Sequence, residues 1–202
     1  PGGSIALVVR RAVFETPALG FPAGLPDDPS RLILEFTIRD TGIAQPLIVA
    51  TGLVSLLELF PHPSDGWAVL GAGAGHSVGE ITAAASTGVL SAEQAMVFVR
   101  ERARAMSKAA AVSHTSMAAV LGGDRDEVLA SIAKHGLTAA NDNGAGQIVA
   151  AGTVEQLAAF EADPPAKAKI RALSVAGAFH TSHMQPATNS LGKLARAMTT
   201  HD

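Results

Sequence analysis

The chain contains no cysteine. That excludes disulfides, thiol nucleophiles and thiolate metal sites together, and it fits a reducing compartment. No uninterrupted apolar run reaches about 18 residues, so no membrane span is expected. The lysines and arginines form no strong cluster and the formal net charge is -3, so no nucleic-acid surface is expected either. The opening Pro1-Gly2-Gly3-Ser4-Ile5-Ala6-Leu7-Val8-Val9-Arg10 lacks the charged-then-apolar order of a signal peptide. It also lacks an initiator methionine, which reads as a fragment or an unusual gene product. What the chain does have is 202 residues, 48% of them hydrophobic and 16% charged. This composition buries a core, excludes disorder, and suits one domain or a domain with a smaller insert.

Residues 1–38 stand apart. Pro17, Pro22, Pro26 and Pro29 punctuate a stretch that reads as loop, with short strands around Ile5–Val9 and Leu32–Phe36. From Gln45 to Phe60 the apolar residues fall at helical spacing, with Pro46 suited to a first turn. Trp67 to Gly75 reads as a short apolar strand running into a glycine-rich turn, followed by an alanine-rich helix that ends near Gly88. Ser91-Ala92-Glu93-Gln94 reads as the capped start of a helix running to about Ala111. The rhythm then becomes strand Met117–Leu121, helix Asp126–His135, strands Thr138–Ala140 and Gln147–Ala151, a Thr153-capped helix over Val154–Glu161, and strand Ile170–Val175. Such a split β-α-β unit is a compact module, placed between the preceding helix and the segment Ala178-Phe179-His180.

Gly75-His76-Ser77-Val78-Gly79 is a G-x-S-x-G sequence between a predicted strand and a predicted helix. On such a turn a serine projects its hydroxyl clear of the backbone, and small neighbours relieve the crowding. The Val78 amide and the helix N-terminus would then face a developing oxyanion. The competing reading is a glycine-rich helix start with an N-capping serine. A nucleophilic Ser77 needs a base. Of the seven histidines, His180 emerges from an apolar segment beside Phe179, and His183 is its main competitor. No aspartate stands near either one. On the helix after Ser91, Arg102 shares an i, i+4, i+7, i+11 stripe with Ala95, Val99 and Met106, so it faces inward. Arg100, Arg104 and Lys108 lie on another, solvated face. An inward arginine needs an anion: a structural ion pair, or a substrate carboxylate held in a bidentate clamp.

Taken together, these segments resemble the malonyl-coenzyme A:acyl carrier protein transacylases and the related acyltransferase domains of polyketide synthases, and are most similar in style to actinobacterial members. The resemblance runs from about Arg39 onward. It rests on Ala44-Gln45-Pro46-Leu47, Gly75-His76-Ser77-Val78-Gly79-Glu80, the arginine 25 residues after the serine, Asn141 to Gly152, and Gly177-Ala178-Phe179-His180-Thr181. It implies an α/β class fold: an α/β-hydrolase-like core from residues 1–115 and 177–202, with a ferredoxin-like subdomain inserted at 116–176. It implies a cytoplasmic enzyme of fatty-acid biosynthesis that moves malonyl from malonyl-CoA to acyl carrier protein, with no cofactor beyond the thioester substrate. By the same resemblance Ser77 is the acyl acceptor and His180 its base, oriented by a main-chain carbonyl. Arg102 holds the malonyl carboxylate, Gln45 and Val78 lie at the substrate, and Phe179 belongs to the A-F-H form associated with malonyl selection. The family's N-terminal Gly-Gln-Gly-x-Gln loop has no counterpart in Pro1-Gly2-Gly3-Ser4, and the family extends roughly a hundred residues further. Poor turnover is therefore expected of this chain. A serine esterase or thioesterase would share Ser77 and His180 but has no use for an inward arginine; an inactive binding fragment is the other alternative.

Overall fold

A computed structural model describes residues 40–175 and 177–200. The strands expected near Ile5–Val9 and Leu32–Phe36, and His201, lie outside the described residues. The described residues form a mixed α/β fold in which helices carry the site and a small antiparallel sheet supports it.

Helix α1 spans Thr41–Leu59. It begins four residues before the expected Gln45, because the Asp40 carboxylate accepts from the Gly42 amide at 2.6 Å and caps the end. Pro46 therefore sits inside the helix rather than in its first turn, and leaves the Gly42 carbonyl without its usual donor. By length and composition α1 is apolar enough to cross a membrane, although polar residues interrupt its apolar run. Here Val49 and Leu53 pack it against Ile81, Ala95 and Val99. Helix α2 covers Pro63–Val69 and α3 covers Gly79–Ser86. Trp67 to Val69 is thus the last turn of α2, not a strand. Among the described residues no strand pairs with 70–76, and an extended segment becomes a strand only where a neighbour supplies a ladder. Pro63 at the helix start and Asp65 in the first turn favour the helix instead.

Helix α4 spans Ala92–Ala110, opened by a reciprocal capping box between Ser91 and Gln94. Ala95, Val99, Ala103, Met106 and Ala109 are its buried residues. Arg102 flanks this stripe half-buried, and Arg100, Arg104 and Lys108 are exposed. The next elements are β1 (Thr115–Gly122), α5 (Arg125–Lys134), β2 (Thr138–Asp142), β3 (Gln147–Thr153), α6 (Val154–Ala162) and β4 (Ala168–Ala172). The strands pair antiparallel in the order β2-β3-β1-β4. Period-2 alternation divides the sheet. Val120, Ile148, Ala150 and Ile170 meet Val128, Ile132 and Phe160 of α5 and α6, while Met117, Val149 and Ala151 face the other way and receive Ala178. The last ladder ends at Ala172, earlier than the expected Val175. The chain then turns, with the Val175 amide donating to the Leu173 carbonyl at 2.9 Å. A 3-10 turn (Ser182–Met184) leads into α7 (Gln185–Ala197), whose Ala187 packs with Met184 on Met106 and Ala109 of α4.

Phe160 is fully buried between α5 and the sheet, and Val112 is 79% exposed. Phe160→Ala is expected to cost about 3–5 kcal/mol of unfolding free energy, and Val112→Ala to stay within about 0.5 kcal/mol. Urea unfolding followed by circular dichroism checks both; a wild-type midpoint for Phe160→Ala would contradict this packing.

Candidate active site

Between α2 and α3 the chain makes a turn at Ser77 and Val78. Ser77 adopts φ 54°, the left-handed region that side chains rarely enter. The turn is closed by the Gly79 amide on the His76 carbonyl at 2.9 Å and the Glu80 amide on the Ser77 carbonyl at 3.2 Å. Gly75 makes this possible. A Cβ there would stand 2.2 Å from the carbonyl carbon and oxygen of Gly79 and 2.4 Å from the Glu80 nitrogen. Gly79 differs from expectation, since a Cβ on it would meet nothing within 4 Å. Only the first glycine of the motif relieves crowding by lacking a side chain; the second contributes the backbone that the first approaches. Among the described residues the Val78 amide donates no hydrogen bond, and it stands at the head of α3.

Four side chains converge. His180 Nε2 lies 2.9 Å from Ser77 Oγ, and Arg102 Nη2 donates to the same oxygen at 2.9 Å. With the guanidinium as donor, the serine hydroxyl is left to donate its own proton to the imidazole. Gln45 Oε1 accepts from Arg102 Nη1, and Gln45 Nε2 reaches the Met106 sulfur at 3.4 Å. His180 also takes a positive φ, 59°. Its loop is tied to the start of β1, where the Ala178 amide donates to the buried Thr115 hydroxyl at 3.0 Å, and Thr181 Oγ1 donates to the Ala178 carbonyl at 2.6 Å. His183 is not on the serine that His180 meets; its Nδ1 lies 3.4 Å from Ser113 Oγ. Phe179 packs against the Met106–Met184 and Met117–Val149 clusters. Among the described residues no hydrogen bond reaches His180 Nδ1 and no carboxylate lies within ion-pair distance of Arg102.

The electrostatics favour a neutral imidazole. Burial lowers the His180 pKa first, the charge of Arg102 and then of His76 lower it further, and Glu80 opposes them. Burial also lowers the Arg102 pKa, with Glu80 acting the other way. His76 and Glu80 were not singled out from sequence. Glu80 is the acidic residue in the first turn of α3. The His76 ring comes within 6.2 Å of the His180 ring, centroid to centroid. Among the described residues no group of three or more His, Asp or Glu side chains gathers as a metal site.

The glycine asymmetry is open to measurement. Gly75→Ala is expected to cost about 1–3 kcal/mol through overpacking, because backbone must move. Gly79→Ala is expected to be neutral within about 0.5 kcal/mol, or stabilising, at a helix start with free space. Urea unfolding of the two variants side by side checks this, and equal costs would contradict it.

Known proteins are similar to this chain. The family described as acyl transferase domain matches residues 15–201. The match opens well ahead of Arg39, so residues 15–38, set aside in the sequence reading, fall within it. A malonyl CoA-acyl carrier protein transacylase of Mycolicibacterium smegmatis is 47% identical over 165 residues, covering 82% of this chain and 56% of that protein. One from Mycobacterium tuberculosis is 48% identical over 166 residues, covering 82% of this chain and 54% of that protein. The chain thus spans about half the length of the curated relatives it matches. The crystal structure of MCAT from Mycobacterium tuberculosis superposes with a TM-score of 0.77 at 41% identity, over 100% of this chain and 64% of that one. On the extent of the family match, the chain belongs to the acyl transferase domain family.

Proposed function

We propose that this chain carries the acyl-transfer centre of a malonyl-CoA:acyl carrier protein acyltransferase of fatty-acid synthesis, working through a seryl ester on Ser77. One observation carries the reading. Ser77 Oγ stands 2.9 Å from a base and 2.9 Å from a half-buried guanidinium that has no carboxylate partner among the described residues. A buried cation without an anion is costly. A structural ion pair, the duller reading of Arg102, has no candidate carboxylate there, whereas a malonyl carboxylate would supply the missing charge. A serine hydrolase needs the first contact and leaves the second unused. The names of the relatives support the same substrates.

The residues then divide the work. Ser77 Oγ attacks the thioester carbonyl while His180 Nε2 takes the hydroxyl proton. The Val78 amide, at the head of α3, meets the oxyanion. The carbon–sulfur bond breaks, the departing thiolate takes the proton from His180, and malonyl remains on Ser77. The carrier's thiol next attacks the ester; its proton passes through His180 back to Ser77. Arg102 holds the malonyl carboxylate throughout, Gln45 backs it, and Phe179 shapes the wall beside His180. We infer further that residues 116–176 are an inserted ferredoxin-like subdomain. Residues 1–115 and 177–202 then make an α/β-hydrolase-like core. The β-α-β-β-α-β order with an antiparallel β2-β3-β1-β4 sheet supports the first assignment, and the sharp turn into α3 supports the second.

Intact-mass measurement after mixing with malonyl-CoA tests the chemistry. Ser77 should gain one malonyl group, Ser77→Ala none, and Arg102→Ala should lower the malonyl-to-acetyl rate ratio on the order of ten- to a hundredfold. Label on another residue, or equal losses for both acyl groups, would sink the assignment. The pH dependence has a fixed sign. Protonated His180 cannot accept a proton, so acylation is full above its pKa and fails as pH falls through it. Since burial, Arg102 and His76 lower that pKa, the acid limb should lie below the ordinary imidazole value of about 6.5. A limb at or above that value in the acylation rate profile would contradict this.

A further inference from the structure

Gln45 is one of two buried polar residues among those described, at 6% exposure. It sits on α1, four residues before fully buried Val49, in the layer where α1 meets α4. Both ends of its amide are occupied. The carbonyl accepts from Arg102 Nη1, and the NH2 group reaches Met106 Sδ at 3.4 Å. The opposite orientation would set two donors against each other at the guanidinium, so the carbonyl must face Arg102. Arg102 thus has one nitrogen held by Gln45 and another on Ser77 Oγ. Both acceptors are neutral. A carboxylate in the place of Gln45 would fix the guanidinium equally well, but would also cancel its charge in a setting where water screens little.

We propose that Gln45 is a positioning residue for Arg102: a neutral buried acceptor that aims the guanidinium at Ser77 while leaving its charge free for the acyl group's carboxylate. Selectivity for a carboxylated acyl chain then depends on position 45 being an acceptor and being uncharged. This rests on the reading of Arg102 given above.

Two variants separate the two requirements. Gln45→Glu keeps an acceptor and adds a charge. Gln45→Met removes the acceptor, adds no charge and keeps similar volume. Ser77 acylation of the full chain is followed by intact mass with malonyl-CoA and with acetyl-CoA. Gln45→Glu should lower the malonyl-to-acetyl ratio on the order of ten- to a hundredfold, the range for a lost charge-assisted contact. Gln45→Met should raise the malonyl-CoA concentration needed for half-maximal rate severalfold and lower the malonyl-to-acetyl ratio less than Gln45→Glu does. A Gln45→Glu ratio within about twofold of wild type overturns the proposal, since a single charge-assisted contact exceeds that. So does a Gln45→Met loss as large as that of Gln45→Glu, which would make the charge irrelevant. If Gln45→Glu does not fold, Gln45→Met decides alone, and an unchanged malonyl-CoA requirement overturns the proposal. Failure of the wild-type chain to acylate Ser77, or an Arg102→Ala variant with unchanged selectivity, would instead strike the function proposed above.

Discussion

At Gly75 the chain runs so close to Gly79 and Glu80 that a Cβ would lie 2.2 Å from backbone atoms, and the geometry of the centre follows from that approach. Backbone cannot give way as the end of a flexible side chain can. The turn is therefore tight, Ser77 is forced to a positive φ, and α3 starts at once behind it. Its hydroxyl leaves the chain in a direction that a helical or extended serine could not take. Of the order of 1–3 kcal/mol of local strain is held here, offset by the packing of α3 through Ile81 and Ala85 on α1 and α4.

Placement of the partners is shared among elements of different kinds. Gln45 and Arg102 come from two helices packed face to face, so their relative position is set by the Val49, Ala95 and Val99 contacts. His180 comes from a loop, and loops need tethers. This one is held by the Thr115 hydroxyl at the first residue of β1 and by Ala178, which is fully buried against Met117, Val149 and Ala151. The sheet thus takes part in the chemistry only through a distant anchor. A positive φ at His180, matching the one at Ser77, means both residues sit where backbone conformation is imposed by surroundings rather than preferred locally.

Much of this was legible in the residues. Caps announced themselves: Ser91 with Gln94 and Thr153 with Gln156 form the reciprocal pairs that sequence spacing suggests. The strand-helix order after Thr115 follows from alternation and glycine punctuation. Arg102 was visible as the polar intruder on an apolar stripe, and Ser77 as the centre of a short motif. Other features were hidden for physical reasons. Trp67 to Val69 has no local preference strong enough to separate strand from helix, and the ladder that would decide it is a tertiary matter. His76 comes near His180 through tertiary placement of two segments a hundred residues apart, which spacing along the chain cannot show. The role of Gly79 needs coordinates, since a motif cannot say which glycine is crowded.

Charge explains why the arrangement holds together without an acidic third residue on the imidazole among the described residues. Burial first, then Arg102 and His76, lower the His180 pKa and so favour the neutral imidazole. The same guanidinium donates to Ser77 Oγ and would stabilise negative charge on that oxygen. An aspartate on His180 would raise its pKa and work against the first effect. Among the described residues Glu80 is the acid that acts on both Arg102 and His180, and it does so from an exposed site on α3 rather than in contact. Its exposure to solvent weakens its pull. The cation therefore keeps most of its field where Ser77 stands, and a carboxylate arriving with the acyl group would meet a guanidinium already aimed and not yet neutralised.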